Sequence, residues 1–264
     1  MDSRWFEKAV ALQNAGRVQE ALKEYHTLAQ ATVDLTERAM VILNEVNCLS
    51  DLGQATDARA RLNDARALLP ETSEFRANAE VSEACLDRAE GKFKRALKKL
   101  ESVLREHANL LQTPNHRFLY EDIQIGRGML LVELGRSPEA RAILEEALTF
   151  DLDAEDRGSV LCYLGRCYLD LGELSIARER YEEALKNGGA PTHVETRARY
   201  ELGRIYYHNE AYARAKEQFE LCEPTADASY PSKQELWQWL AKTCERLGLK
   251  SDAERYANLA RTAK

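Results

Sequence analysis

The sequence predicts an all-α fold, a right-handed stack of about seven helix-turn-helix hairpins with about 14 helices that fills residues 1–264 as a single repeat domain. Three observations predict it. A glycine, four intervening residues, an alanine, three more residues and a large apolar side chain recur from one end of the chain to the other. Upstream of each such glycine lies a second register, with a small residue seven positions before it and usually a bulky one four before it. The composition suits helices in water: 44% hydrophobic and 31% charged residues, with 13 Gly and 6 Pro to interrupt them.

The units follow in order. The first, approximately 2–32, places Ala9 and Leu12 in its upstream helix, turns at Gly16 and continues with Ala21 and Tyr25. The second, 35–70, carries Val46, Leu49, Gly53, Ala58 and Leu62. The third, 73–108, keeps Ala84, Gly91, Ala96 and Leu100, but Glu80, Glu83 and Asp87 stand in columns that are apolar elsewhere, which makes it the weakest. An insertion at 109–117 follows and reads as a longer turn, since Pro114 and Asn115 are ordinary turn residues. The fourth unit, 117–150, has Gly128, Leu131, Gly135, Ala140 and Leu144, and Ser137-Pro138 reads as an N-cap followed by proline in the first turn. The fifth, 154–188, has Gly165, Tyr168, Gly172, Ala177 and Tyr181. The sixth, 191–224, keeps Gly203, Tyr206, Ala215 and Phe219 but replaces the turn glycine with Glu210. The seventh, 231–263, has Ala241, Cys244, Gly248 and Ala253, with Ala257 at the large site.

The recurring alanines are 37, 38, 44, 37, 38 and 38 residues apart. Glycine inside a helix costs about 1 kcal/mol against alanine, so Gly128, Gly165 and Gly203 in one column imply close helix packing that offsets the loss. The glycine after each upstream helix is a left-handed C-cap, and the short turn folds the two helices back antiparallel. Each hairpin then exposes an apolar face that only a neighbour can cover, so stability comes from stacking.

On these residues the chain resembles the tetratricopeptide repeat family. The resemblance is strongest at Leu161, Leu164, Gly165, Tyr168, Gly172, Ala177, Tyr181 and Ala184, and again at Leu202, Gly203, Tyr206, Tyr212, Ala215 and Phe219. Pro70 sits where the family often ends its second helix, and Trp5 and Trp237 sit at its tryptophan site. The period here is longer than the usual 34 residues by about one helical turn, which lengthens helices without rotating their faces. The resemblance implies a scaffold or adaptor that binds proteins or peptides, with no cofactor.

Other chemistry finds little support. A formal charge of -7 argues against general nucleic-acid binding, which needs a concentrated basic surface. No apolar run is long enough for a membrane span or a signal peptide. Gly126-Arg127-Gly128 lies inside a predicted helix, with no preceding strand and no third glycine. Asp151, Asp153 and Glu155 lack the glycine and terminal glutamate of a calcium loop and read as acids at a helix N-terminus. Five scattered histidines have no metal spacing, and the catalytic and metal sets are therefore both empty. Six cysteines without a CxxC pair read as reduced core residues, in keeping with a cytoplasmic protein.

In the resembled family the first helix of each unit lines a groove, so its residues turned away from the small column are the partner-binding candidates. Near the N-terminus these include Asn44 and Asn47, which resemble amides that hold a peptide backbone; the lysine of the family's carboxylate clamp is Phe6 here. The last three units offer Tyr163, Arg166, Arg197, Tyr200, Arg204, Tyr207, His208, Trp239, Lys242 and Arg246. Such a cationic, aromatic-rich lining suits an acidic peptide or a free C-terminal carboxylate. The competing account is a set of solvated arginines paired with nearby glutamates. Two other readings stay open: self-assembly into a homo-oligomer through the end repeats, and a peptide-sensing regulator acting through a separate partner.

Overall fold

The computed structural model describes residues 3–187, 192–223 and 231–262, and every element among them is helical. The expected unit ends at 2, 188, 191, 224 and 263 lie outside the described residues, as does the side chain of Trp5. The chain divides into two compact units, 1–134 and 135–264.

The first unit contains α1 (Ser3–Asn14), α2 (Val18–Ala31), α3 (Leu35–Asp51), α4 (Ala55–Leu68), α5 (Arg76–Ala89), α6 (Phe93–Glu106), α7 (Ala108–Leu111), a 3-10 turn (Pro114–His116) and α8 (Arg117–Glu133). Helices α1/α2, α3/α4 and α5/α6 pair as hairpins, each stacks on the next, and α8 packs on α6. The expected plain turn at 109–117 therefore contains a one-turn helix, α7, which seats Leu111 in the interior.

The second unit contains α9 (Ser137–Ala147), α10 (Ala154–Asp170), α11 (Leu174–Asn187), α12 (Thr192–His208), α13 (Tyr212–Cys222), α14 (Lys233–Arg246) and α15 (Lys250–Thr262). Here α10/α11, α12/α13 and α14/α15 are the hairpins, and α9 packs on α10. The predicted fourth repeat contributes α8 to the first unit and α9 to the second.

The two columns form the cores. The large-site side chains Tyr25, Leu62, Leu100, Leu144, Tyr181 and Phe219 are all buried. Gly165 and Gly203 lie beneath two of these rings: a Cβ at Gly165 would stand 2.7 Å from Tyr181, and one at Gly203 would stand 2.5 Å from Phe219. The absence of a side chain at those points is what lets the rings pack onto the facing helix. In the last hairpin the expectation fails, because Tyr256 and not Ala257 is the buried large residue. A methyl group would leave a hole there that a tyrosine fills.

The turns repeat one geometry. At Gly172 (φ 77°) the Gly172 N–H donates to Leu169 C=O at 3.0 Å and the Glu173 N–H to Tyr168 C=O at 2.8 Å. Glu210 adopts the same left-handed conformation (φ 59°), with bonds from its own N–H to Tyr207 at 3.1 Å and from Ala211 to Tyr206 at 2.9 Å. A residue with a Cβ is strained in that conformation by roughly 1–2 kcal/mol. Glu210→Gly is therefore expected to raise the stability of the second unit by about 1 kcal/mol, read as a higher urea midpoint. An unchanged or lower midpoint would show that the turn is not strained.

Side-chain acceptors cap the starts of α3, α10 and α14. Asp34 accepts from the Glu37 N–H and Asp153 from the Asp156 N–H, both at 2.8 Å, while Ser232 and Glu235 form a reciprocal capping box. Ser137 departs from its expected capping role. It is the first helical residue, and its hydroxyl donates to Asp170 Oδ2 of α10 at 2.7 Å.

The weak third repeat is held by charge. Asp87, with no exposed surface, meets Arg59 of α4 at 2.8 Å and Arg95 of α6 at 2.9 Å. Glu83 meets Arg66 of α4 together with Arg95 and Lys99 of α6. Burial by itself would raise the Glu83 pKa, but the bonds from Lys99, Arg66 and Arg95 and the charge of Arg66 outweigh it and hold the value at about 2. Departures from the apolar pattern have thus become a polar tie across three helices.

Candidate interaction surface

In the second unit the stripe Tyr200, Arg204, Tyr207 and His208 runs along one side of α12 at the three- and four-residue spacing of a helix face. On α14 the stripe is Trp239, Lys242 and Arg246. The stacking of α12, α13 and α14 brings these stripes together around Trp239. Its ring lies 5.2 Å from Tyr207 and 5.8 Å from His208, both edge-on, and stacks on Phe219 of α13 at 6.0 Å. The Lys242 ammonium stands 5.0 Å from the Trp239 ring and the Arg204 guanidinium 5.8 Å from it. Arg246 lies 4.9 Å from the ring of Tyr212, whose hydroxyl accepts a 2.5 Å hydrogen bond from it.

The members differ in how available they are. His208, Lys242 and Arg246 are exposed, and Tyr207, Arg204 and Trp239 are half-buried. Tyr200 is buried, its ring 5.9 Å from Phe219, and burial raises its phenol pKa. Arg204 bonds Glu201, itself buried, at 3.0 Å. Arg204 is thus tied into the scaffold as well as facing the aromatic cluster.

A second group, Tyr163, Arg166 and Arg197, lines a narrow cleft together with Cys162 and Tyr181. Arg166 bonds Asp170 of its own helix at 2.9 Å. Asn44 and Asn47 belong to α3 of the first unit: Asn44 donates its side-chain amide to Met40 C=O at 3.0 Å, and Asn47 is exposed.

Sequence reasoning limited to first helices misses Tyr212, which begins α13. The available signal was its place two residues past the Glu210 turn, within reach of Tyr207 five residues earlier; their rings are 5.3 Å apart. The cysteine expectation also needs one correction. Five are buried, with Cys162, Cys167 and Cys222 pushed up to about 12 by burial, but Cys85 on α5 is exposed. It follows Ala84 of the small column by one position, and a 100° step around α5 carries it off the packed face. Among the described residues no three His, Cys, Asp or Glu side chains come together as a metal site would need, and no helix is long and apolar enough to cross a membrane.

Comparison with known proteins agrees with the helical-repeat fold. The tetratricopeptide repeat pattern matches residues 119–188 and, in a second form, residues 164–231. No curated protein matches the sequence. Among solved structures, the chain is similar to the PilF protein of Pseudomonas aeruginosa, with 19% identity and a TM-score of 0.65 over 86% of this chain and 92% of that one. It is similar to the apo form of the quorum sensor NprR from B. thuringiensis, with 14% identity and a TM-score of 0.74 over 98% of this chain and 73% of that one. It also resembles a chain of the APC/C hetero-tetramer Cut9-Hcn1, with 14% identity and a TM-score of 0.67 over 98% of this chain and 46% of that one. At these identities the likenesses establish the fold.

Proposed function

Because the chain belongs to the tetratricopeptide repeat family, whose members bind protein partners, we propose that residues 1–264 act as one non-catalytic cytoplasmic scaffold or adaptor. It holds an acidic peptide segment, or a free C-terminal carboxylate, against α12 and α14 by reversible association and without a cofactor. The observation that carries this reading is the cluster in which Lys242, Arg246 and Arg204 lie against Trp239, Tyr207 and Tyr212. Exposed cations over aromatic rings can pair with a carboxylate while the rings cover the neighbouring apolar atoms. The half-buried rings are already packed against one another, so little freedom is lost on binding. Tyr163, Arg166 and Arg197 extend the same chemistry along α10 and α12.

The test leaves Arg204 intact, since its bond to buried Glu201 makes its loss a structural lesion. The double substitution Lys242→Glu and Arg246→Glu reverses two exposed charges. Fluorescence anisotropy with Glu-rich peptides, ending in a free or an amidated carboxyl, is expected to show affinity that falls with salt and drops at least about tenfold in the double variant. Equal affinity and an unchanged salt slope would discard the proposal.

A further inference from the structure

At four places the residue four before the turn, Leu49, Asp87, Tyr168 or Tyr206, lies in a furrow between two successive second helices. In three places the chain fills this furrow itself. Between α9 and α11 the filler is Tyr168, whose hydroxyl donates to Glu145. Between α11 and α13 it is Tyr206, whose hydroxyl donates to Glu182 Oε1 at 2.6 Å. Between α4 and α6 it is Asp87, bridged by Arg59 and Arg95.

Between α2 and α4 the same position is Leu49, and the furrow stays open as a cleft of ≈ 560 Å³. Leu22, Leu49 and Ala60 supply its apolar surface. Glu45, only 1% exposed, lines it and is fastened by Arg61 at 2.5 Å and by His26 at 3.2 Å. His26 is the tenth residue after its turn glycine, the register at which Glu145 and Glu182 accept the tyrosine hydroxyls in the second unit. The rim is oppositely charged on its two walls, with exposed Lys23 on α2 and exposed Asp57 on α4.

We infer that this cleft is a socket for a tyrosine side chain of a partner protein, carried on a segment with an acid on one side of the tyrosine and a base on the other. The ring takes the place that Tyr168 and Tyr206 take in their own repeats and covers Leu22 and Leu49. Its hydroxyl reaches the His26–Glu45 pair, as the internal tyrosines reach their glutamates. The flanking acid meets Lys23 and the flanking base meets Asp57, so charge selects the segment while the ring anchors it. A cleft of this size is within the usual range for a binding pocket.

The probe is acetyl-Glu-Ala-Tyr-Ala-Lys-amide, titrated into isotope-labelled full-length protein and followed by amide chemical shifts. The expected result is a dissociation constant of about 1 mM, with shifts centred on Leu22, His26, Leu49 and Ala60. Replacing the tyrosine by alanine should weaken binding at least about tenfold, and neutral glutamine flanks should weaken it about threefold. In the protein, Leu49→Tyr supplies the missing internal tyrosine and should abolish binding without lowering the melting temperature. Ala60→Tyr at the exposed rim is the second blocking variant, in case Leu49→Tyr disturbs the core. Equal binding of the tyrosine and alanine peptides, shifts centred on α12 and α14, or binding that survives a folded blocking variant would each overturn the socket. The Lys242 and Arg246 charge reversal is read separately, with the Glu-rich peptides, so the two proposals can fail independently.

Discussion

Gly203→Leu is expected to destabilise the second unit by about 3 kcal/mol, the upper end of the range for overfilling a packed core. In an exposed helix interior, replacing glycine by alanine stabilises by about 1 kcal/mol, because the backbone loses less freedom on folding. At Gly203 the first added carbon would stand 2.5 Å from Cε1 of Phe219, a ring with no exposed surface of its own. Even Gly203→Ala should therefore lose stability, and the leucine should lose more. Urea unfolding followed by circular dichroism measures both. Pairing Gly203→Ala with Phe219→Leu should recover part of the loss, giving a coupling of at least about 0.5 kcal/mol. A stabilising Gly203→Ala would show that the ring does not lie over this glycine. Gly165, beneath Tyr181 at 2.7 Å, should behave in the same way.

The second large effect opposes what the repeat pattern suggests. Asp87 stands in a column that holds leucine at Leu49 and Leu131, so pattern matching alone recommends Asp87→Leu as stabilising. The expected result is a loss of about 3 kcal/mol. The buried carboxylate is the shared partner of Arg59 and Arg95, and a leucine would leave two guanidinium groups facing an apolar side chain. The loss stays at the low end of the range because Arg59 keeps Glu90 and Arg95 keeps Glu83. Converting all three together, Asp87→Leu with Arg59→Met and Arg95→Met, should recover most of it, since no charge is then left without a counterpart. A chemical-denaturation midpoint for the single variant at or above the parent's would refute the account.

Much of the candidate surface was legible in the sequence because a helix face is a local property. Tyr200, Arg204, Tyr207 and His208 share a stripe by spacing alone, as do Trp239, Lys242 and Arg246. What spacing could not supply was their ranking. Tyr200 is buried against Phe219, Arg204 is fastened to Glu201, and Lys242 and Arg246 remain exposed. Tyr212 was invisible to a search along first helices because it reaches the cluster from the helix between them.

The sequence by itself determined the all-helical class, the positions of the turns between paired helices and, in the hairpins before the last, the columns of small and large residues. These depend on periodicity and on conformational preferences within about 40 residues, which a linear pattern carries in full. Only the tertiary structure decided which polar residues are buried and what holds them. Asp87 and Glu83 look like interruptions of an apolar column until helices on either side supply arginine and lysine, and Glu45 is buried only because Arg61 and His26 from the flanking helices meet it. The cost of burying a charge is set by the groups that surround it in space, and those come from neighbouring helices on both sides. For the same reason the open furrow at Leu49 becomes visible only beside the filled ones at Tyr168 and Tyr206.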